Sequence, residues 1–500
     1  MAAQSLFLRV LLLLSLLFSS TLSALPTKAD LILSVKSWET VRLPILETSR
    51  SYLVQNLFSR LVSFDGTGTL TADLAYRWKI DPSKRVFTFF LRPGISFEDG
   101  SPLDAASVKR SLETSLERFN PYFSPQVASL EGFSDFIKKR RSEVRGIQVL
   151  NPTTLRFTLI RPDPHFFYVL ADINFSIFKR GPGGYIGSGP YRILISSPHE
   201  LLLGLSPRYF IPLPHAPRTI TVRPYSRQRA LSANEVCLLE ENFDPPQGWE
   251  RSSRHLQTPS TSVEYLFFNF HRPWGRRSEF RRLIAEEFDI PKVLAEEKLS
   301  SSSVYGLLSM GLKYFSLAPF PQSKPGQGPF ILKRRPYRPV TVLTTSYRGR
   351  ERFSKRLLEF LKEKKIPTKL IVQSHEEYVR TVRSGSASNP ADLYLITHNP
   401  DAGFLPAQAF LQDFLSPQGQ YNFGGYSNPK VTSSLVRLSS LTDSQKREEV
   451  QRILSHIRAE IPLLPLYYPP IHILAGKEVL SFPISSFGFY DFREIRLPNR

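Results

Sequence analysis

The sequence predicts an α/β protein with at least one mainly parallel sheet. Three observations support this class: strands and helices alternate in the second half, hydrophobic residues make up 41% of the 500 residues, and proline occurs 41 times. A hydrophobic share of this size can build a packed core. Frequent proline argues against long helical rods and coiled coils. A chain of this length holds two to four domains or one large two-lobed body.

The segment 339–396 carries the alternation most clearly. Its apolar, β-branched runs predict strands, and the stretch between the first two places several apolar side chains on one helical face. The predicted order is strand 339–345, helix 353–364, strand 369–372, helix 376–383 and strand 391–396. This alternation is typical of βαβ crossovers and a parallel sheet. Ligands bind beyond the carboxyl ends of such strands, so the loops after Thr345 and Ile396 are the predicted ligand edge.

The first half predicts shorter elements in mixed order. These are a strand at 30–35, a helix at 50–62, a strand at 85–92, a helix within 102–116, and strands at 144–150 and 154–160. Asp104 is the expected N-cap of the helix, and Asn151-Pro152 is the expected turn between the last two strands. The glycine-rich run 181–189 lacks the lysine and the spacing of nucleotide-binding loops. It therefore predicts a segment that crosses between lobes and no phosphate site.

Residues 1–24 have the layout of a secretory signal peptide. Arg9 supplies positive charge, an apolar run follows from Val10, and small residues lead to Ala24. The apolar run is about half of the ~20 residues that a membrane-spanning helix needs, and a permanent N-terminal anchor is the alternative. We expect cleavage after Ser23 or Ala24. No cysteine stands near that point, so we expect a periplasmic or extracytoplasmic protein that is not a lipoprotein.

The chain is strongly basic, with a formal net charge of +21. Three causes are open: nucleic-acid binding, attraction to an anionic membrane surface or ligand, and general solubility. The densest basic runs, 138–141 and 333–335, are short and favour solvated loops or helix ends. The single cysteine, Cys237, excludes an intrachain disulfide and a cysteine-based metal cluster.

The sequence carries no catalytic signature. Its nine histidines include no HxxxH or HExxH pair, and there is no G-x-S-x-G motif. Neighbouring carboxylates such as Glu240 and Glu241 do not face one another on a helix, so they make poor acid/base pairs. We therefore expect no enzyme activity, no cofactor and no bound metal.

Five segments occur in an order that resembles a known family. The most specific is 57–112, which includes the motifs ADLA at 72–75 and LRPGISFEDG at 91–100. The others are GSGPY at 187–191, YLFFN at 265–269, NFGGYSNPKV at 422–431 and IPLLPLY at 461–467. Together they resemble family 5 of the extracytoplasmic solute-binding proteins, the peptide- and nickel-type receptors of ABC importers. The resemblance extends over about residues 30 to 480.

The resemblance implies a two-lobed periplasmic-binding-protein fold of type II with an extra α/β subdomain. The implied division is a signal peptide at 1–24, lobe I at 25–56, 181–270 and 475–500, the extra subdomain at 57–180, and lobe II at 271–474. The chain would cross between the lobes near 270 and near 475, with 263–268 and the segment after Ile473 as the crossing strands. Trp78, Phe87 and Phe89 are expected to be core residues of the subdomain.

The function that the resemblance implies is that of an exported receptor. It would close its lobes on a peptide-like or small polar solute and deliver it to an ABC permease in the inner membrane. We expect a monomer that binds no nucleic acid. The alternative is a transcriptional regulator with a solute-binding-like sensor domain, although a signal sequence stands where its helix-turn-helix would be. A secreted hydrolase is a third possibility, without any motif in its favour.

The resemblance also implies where ligand contacts lie. In peptide-binding relatives, an aspartate after the strand that matches 391–396 pairs with the ligand's α-amino group. That position falls here on Ile396 or Thr397, neither of which is acidic. The resemblance therefore does not imply that this chain binds ordinary peptides with a free α-amino group. The candidate ligand-binding residues are Trp38, Glu39, Arg348, Arg350, Thr397, His398, Asn399 and Asp401.

Several of these candidates have a second interpretation. Trp38 can stack on a ligand or pack on the lobe surface. Arg348 and Arg350 can bind a carboxylate or phosphate in bidentate fashion, or stand in solvent as loop residues. His398 has no second histidine or cysteine near it in the sequence, which favours a loop residue over a nickel ligand.

Overall fold

The computed structural model describes most of the chain. The described residues are 30–35, 51–65, 69–119, 125–163, 166–182, 184–197, 199–225, 229–239, 248–258, 262–297, 299, 338–345, 348–398, 407–419, 421–438, 441–469, 471–483 and 490–498. The predicted signal peptide at 1–24 lies outside them.

Twenty strands occur in the described residues. They are β1 Leu31–Val35, β2 Val62–Phe64, β3 Leu70–Ala72, β4 Ala75–Ile80, β5 Val86–Leu91, β6 Ile147–Asn151, β7 Thr154–Thr158, β8 Lys179–Gly181, β9 Gly184–Ile186, β10 Tyr191–Ser196, β11 Leu201–Leu205, β12 Thr219–Pro224, β13 Glu235–Leu239, β14 Ser253–Thr258, β15 Val263–Phe268, β16 Val340–Thr345, β17 Thr368–Gln373, β18 Leu393–His398, β19 Leu463–Tyr467 and β20 Ile471–Gly476.

The helices alternate with these strands mainly in the second half. They are α1 Ser51–Leu57, α2 Ala105–Phe119, α3 Pro125–Ala128, α4 Phe133–Ile137, α5 Phe166–Val169, α6 Trp249–Ser252, α7 Ser278–Glu287, α8 Ile290–Glu296, α9 Arg348–Glu363, α10 His375–Arg383, α11 Ala407–Leu415, α12 Pro429–Arg437 and α13 Asp443–Glu460, with 3₁₀ turns at Ile173–Phe175 and Phe492–Glu494. No helix in the described part of the chain is both long and apolar enough to cross a membrane.

Three larger sheets organise the molecule. A seven-stranded sheet has the order β10-β11-β12-β1-β13-β20-β14, a five-stranded sheet has the order β17-β16-β18-β15-β19, and a four-stranded sheet has the order β4-β5-β7-β6. Each sheet contributes to its own cluster of buried apolar side chains. The α/β class predicted from the sequence is confirmed.

The predicted alternation in 339–396 is confirmed as β16-α9-β17-α10-β18. β16 pairs in parallel with both β17 and β18. Leu357 and Leu361 of α9 are buried against the sheet, as the helical spacing predicted. The helix begins at Arg348, five residues before the predicted start. The prediction began too late because the first turn is polar and carries no apolar periodicity.

The four-stranded sheet belongs to the region that was predicted as an extra subdomain. Phe87 and Phe89 are fully buried, as expected, while Trp78 is half-buried and lies against Phe89 with ring centroids 6.5 Å apart. The helix predicted within 102–116 is α2, and Asp104 caps it: the Ser107 backbone N–H donates to Asp104 Oδ1 at 2.7 Å.

Neither the strand at 263–268 nor the segment after Ile473 is the crossing strand that the resemblance implied, since β20 (Ile471–Gly476) already belongs to the seven-stranded sheet. β15 is an inner strand of the five-stranded sheet, antiparallel to β18 on one side and to β19 on the other. The chain therefore leaves the seven-stranded sheet between Thr258 and Val263, and it returns between Tyr467 and Ile471. The lobe boundaries themselves remain a prediction.

The glycine-rich run 181–189 does not join these two sheets either. Its first half contributes to a small β8–β9 hairpin. Gly187 and Gly189 then pass the end of α1, where a side chain on either residue would collide with the Leu57 backbone. Glycine is required there because the two backbones approach too closely for a Cβ atom.

Candidate ligand-binding site

The five-stranded sheet presents one edge at which four strands end. β16, β17, β18 and β19 run in the same direction, and β15 runs against them. The carboxyl ends at Thr345, Gln373, His398 and Tyr467 therefore lie along the same edge as the start of β15. In open α/β sheets this is the edge beyond which ligands bind, so the prediction of the ligand edge after Thr345 and Ile396 agrees with the topology.

The seven-stranded sheet has a matching edge. β12 and β13 both pair in parallel with β1, and β14 runs in the same direction because both β13 and β14 are antiparallel to β20. The carboxyl ends of these four strands therefore meet the start of β20.

Two short connections join the matching edges. β14 leads into β15 through residues 259–262, and β19 leads into β20 through residues 468–470. At most about 3.6 Å per residue, five residue steps span no more than about 18 Å and four steps about 14 Å. The two carboxyl edges are thus held close together where the chain crosses, and the space between them is the candidate cleft.

A buried ion pair lies at the five-stranded edge. Glu264, near the start of β15, is fully buried and stands directly opposite Thr397 of β18. Arg350, in the first turn of α9, places its Nε 2.9 Å from Glu264 Oε1 and its Nη2 3.2 Å from Oε2. The Nε–Oε1 approach is an ionic contact without hydrogen-bond alignment. Both charges are thereby neutralised within the protein.

Thr397 completes this group. Its hydroxyl donates to Glu264 Oε2, and it accepts from Arg350 Nη2 at 2.5 Å. The Arg350 guanidinium also lies over the Tyr378 ring, 5.8 Å from the centroid, and the Tyr378 hydroxyl donates to the Leu395 carbonyl. Helix α9, helix α10 and strands β15 and β18 are therefore fixed to one another by polar contacts at the edge where they meet.

His398 ends β18 in an aromatic environment. Its ring lies edge-on to Phe414 and Tyr421, each with a centroid distance of 4.8 Å, and to Phe410 at 5.4 Å. Burial lowers the pKa of His398 to about 3, because the charged imidazolium cannot be solvated there. His398 is therefore a neutral ring near pH 7. In the described residues, no three histidine, cysteine or carboxylate side chains are grouped so that they could hold a metal ion.

A pair of histidines lies on the seven-stranded sheet. His255 Nε2 and His472 Nδ1 are 2.9 Å apart, on the adjacent strands β14 and β20. The rings are inclined by only 13° and their centroids are 5.1 Å apart, which fits an in-line N–H···N hydrogen bond better than face-to-face stacking. Such a bond requires one ring nitrogen to carry the proton and the other to accept it.

Three of the eight candidate residues have described side chains. Arg350, Thr397 and His398 lie at one edge, with Thr397 partly exposed and the other two buried. The backbone of Arg348 begins α9, but its side chain lies outside the description, and so do residues Trp38, Glu39, Asn399 and Asp401.

Glu264 was missed by the sequence interpretation. The available signal was one charged residue within VEYLFF, a strand whose six residues are all buried. A buried carboxylate needs a partner, but the sequence does not show that Arg350 and Thr397, 86 and 133 residues later, supply it.

Comparison with known proteins identifies a family. Residues 69–421 match "Bacterial extracellular solute-binding proteins, family 5 Middle". The probable deoxycholate-binding periplasmic protein YgiS of Escherichia coli is 24% identical over 88% of this chain and 87% of its own. The probable di/tripeptide-binding protein 5 of Pseudomonas aeruginosa is 23% identical over 99% of both chains. The HTH-type transcriptional regulator SgrR of Salmonella choleraesuis is 25% identical, but over only 56% of this chain and 47% of its own.

The fold is also found in solved structures. The murein tripeptide binding protein MppA of Escherichia coli superposes with a TM-score of 0.75 at 17% identity, covering 96% of this chain and all of that one. The two-lobed periplasmic-binding-protein fold that the sequence resemblance implied is confirmed.

Proposed function

This chain belongs to family 5 of the bacterial extracellular solute-binding proteins, and from that premise we propose that it is an exported receptor that binds a peptide-like or small polar solute between its lobes and delivers it to an ABC permease. The observation that carries the proposal is the pair of facing carboxyl edges joined by two short crossings. Hinge closure over a cleft of this kind removes the solute from water without any covalent chemistry. The fold and family are those of binding proteins, and we propose no reaction.

The proposed contacts come from the segments that follow the strands at these edges. Trp38 and Glu39 follow β1, Arg348 follows β16, and Asn399 and Asp401 follow β18. Thr397 is partly exposed, which allows its side chain to meet a solute, whereas Arg350 and His398 lie deeper and would act from behind it.

The charge state at this edge bears on the class of solute. Ile396 or Thr397 of β18 stands where the resemblance places an aspartate in peptide-binding relatives, and neither residue is acidic. Glu264, across from Thr397, already has Arg350 as its partner. A ligand ammonium placed here would lie close to a guanidinium of the same sign. We therefore infer that the ligand presents no free α-amino group at this position. An N-blocked peptide or an acidic or neutral solute fits, in line with the relative named for deoxycholate.

A thermal-shift screen of the purified mature protein tests this proposal. The panel would contain matched di- and tripeptides with free and N-acetylated amino ends, bile acids and small organic acids. We expect an increase in Tm with at least one N-blocked or amine-free solute, confirmed by calorimetry, and a smaller increase with its free-amine counterpart. Absence of a response from every solute class would count against a receptor, and a preference for free amines would refute the charge inference alone.

Export and partners complete the proposal. Residues 1–24 would be removed as a signal peptide, and the mature protein would act as a periplasmic monomer that docks on an inner-membrane permease and binds no nucleic acid. N-terminal sequencing of the protein from an extracytoplasmic fraction tests this, with the first residue expected at 24 or 25. An uncleaved protein in the cytoplasm that is retained on DNA in a salt-dependent manner would instead favour the regulator.

A further inference from the structure

The four-stranded sheet has two different faces. One face packs into the core with Phe87, Phe89, Leu155 and Phe157, all fully buried. The strand register defines the other. Lys79 stands opposite Thr88, Thr88 opposite Arg156, and Arg156 opposite Gln148; in the next row, Arg77 stands opposite Phe90. Because residues that stand opposite one another share a side of a sheet, these side chains form one surface, named here the basic face: Arg77, Lys79, Thr88, Phe90, Gln148 and Arg156.

The cations of the basic face are spread over a flat surface. Arg77 and Lys79 are exposed and Arg156 is partly exposed. Residues two apart on a strand are about 7 Å from each other, and residues two strands apart are about 10 Å from each other. The Cα positions of Arg77, Lys79 and Arg156 thus form a triangle with sides of about 7 to 12 Å, which spreads their positive charge over the surface of the sheet.

In the described part of the chain, these cations also have no carboxylate partner. Among the described residues, no carboxylate lies within 4.0 Å of Arg77, Lys79 or Arg156, and none of the six residues of the basic face is acidic. Elsewhere in the same region, basic side chains are paired: Lys139 with Glu117, and Arg145 with Glu131. The positive charge of the basic face is therefore available to an external anion.

Amphipathic side chains accompany the charge. The Arg77 guanidinium lies 4.2 Å from the centroid of the Phe90 ring and 5.6 Å from that of Tyr76. On the two edge strands of the sheet, Tyr76 is 46% exposed and Leu150 is 41% exposed. Tyrosine and leucine beside lysine and arginine are typical of surfaces that rest in the headgroup region of a bilayer.

We propose that the basic face docks on the anionic headgroups of a lipid bilayer. Charge complementarity supports a polyanionic partner, and a flat sheet with separated cations matches a plane of many single anionic groups. A single-stranded nucleic acid fits less well, because it binds in a groove that stacks successive bases on several aromatic rings, whereas the basic face is flat and the guanidinium of Arg77 covers the Phe90 ring. The proposal does not depend on the identity of the solute.

Vesicle co-sedimentation with the full mature protein tests the proposal. The vesicles would be pure phosphatidylcholine or phosphatidylcholine with one third phosphatidylglycerol, at low and physiological salt. The test variant is Arg77→Gln with Lys79→Gln. The matched control is Lys430→Gln with Arg447→Gln, which removes the same charge from exposed positions on α12 and α13. Far-UV circular dichroism and thermal melting check that both variants fold.

The expected result is binding to the anionic vesicles only, weakened by salt. Each cation near an anionic surface contributes about fivefold to the membrane affinity. The basic-face variant, which lacks two cations, should therefore bind about 30-fold more weakly than the wild type, and the control should bind as the wild type does. Three results would overturn the proposal: no binding to anionic vesicles, an equal loss in both variants, or tighter binding to single-stranded DNA than to anionic vesicles through these same residues.

Discussion

Arg350 and Glu264 form a buried ion pair across two elements that are 86 residues apart in sequence, with Nε 2.9 Å from Oε1. Glu264 is fully buried and Arg350 nearly so. The pair stands where α9 begins and β15 enters the sheet, at the edge that faces the other lobe. Its members therefore hold the site together and also keep this part of it free of net charge.

Removing one member of this pair should destabilise the protein strongly. Arg350→Met leaves an uncompensated buried carboxylate, and Glu264→Gln leaves an uncompensated buried guanidinium, each at a cost of about 3–5 kcal/mol in the free energy of unfolding. The double variant should lose less than the sum of the two single losses, because neither charge remains. Urea denaturation of the three variants measures this coupling, and additive losses would mean that the two side chains do not interact.

The Arg350→Met variant should also gain affinity for amines. With its partner gone, Glu264 has a carboxylate that a ligand ammonium can neutralise. A free-amine dipeptide should therefore raise the Tm of the variant more than that of the wild type. The N-acetylated form of the same dipeptide should shift the Tm of both proteins equally. Equal responses to the free amine would show that Glu264 cannot be reached from the cleft.

His398 should make stability depend on pH. Its folded-state pKa, lowered by burial to about 3, lies below the ordinary value of 6.5, so the unfolded chain binds more protons between these values. Stability from this group is complete above pH 6.5 and is lost as the pH falls, by about 1.4 kcal/mol per pH unit. Between pH 7 and pH 5, the wild type should lose about 2 kcal/mol more than His398→Phe.

Urea titrations at several pH values measure this difference. His199→Gln, a substitution at an exposed loop residue, serves as the control and should follow the wild type. If the wild type and His398→Phe lose stability in parallel, the imidazole is not buried as described.

Cys237 should be inert in the folded protein. It is fully buried on β13, and burial raises the pKa of its thiol well above the usual range, which suppresses the reactive thiolate. Reaction with a thiol reagent such as DTNB should be at least on the order of 1,000-fold slower in native buffer than in urea, because it requires unfolding. Rapid labelling of the native protein would place the thiol at the surface.

Local signals in the sequence predicted the elements of 339–396 and several elements of the first half, although the helix predicted over 50–62 ends at Leu57 and Val62 begins strand β2. The alternation in 339–396 is carried by apolar spacing within each element, and the N-cap at Asp104 by residues next to one another. The first turn of α9 was missed because Arg348 to Arg352 include no apolar residue that could indicate a helical face. Contacts with the sheet, such as those of Arg350 with Glu264 and Thr397, stabilise this first turn instead of a local apolar pattern.

The site was predicted only in part because it depends on strand pairing over long distances. The ligand edge followed from the general behaviour of parallel sheets, and Arg350, Thr397 and His398 were found on it. Glu264 joins them only because β15 inserts beside β18. The basic face escaped prediction for the same reason, since Lys79 and Arg156 become neighbours through the pairing of β4 and β7 with β5.

The positions of the two crossings also bear on how the lobes move. β14 and β20 are adjacent strands in one sheet, and β15 and β19 are adjacent strands in the other. Because both connections start on adjacent strands of one sheet and end on adjacent strands of the other, we expect them to allow hinge closure of one half towards the other. They should resist rotation about the axis that joins the halves, because twisting would stretch one connection more than the other. Lengthening only one of the two connections by two or three residues would remove that resistance. The cleft would then close with the two halves twisted relative to each other, although the fold of each half would be unchanged.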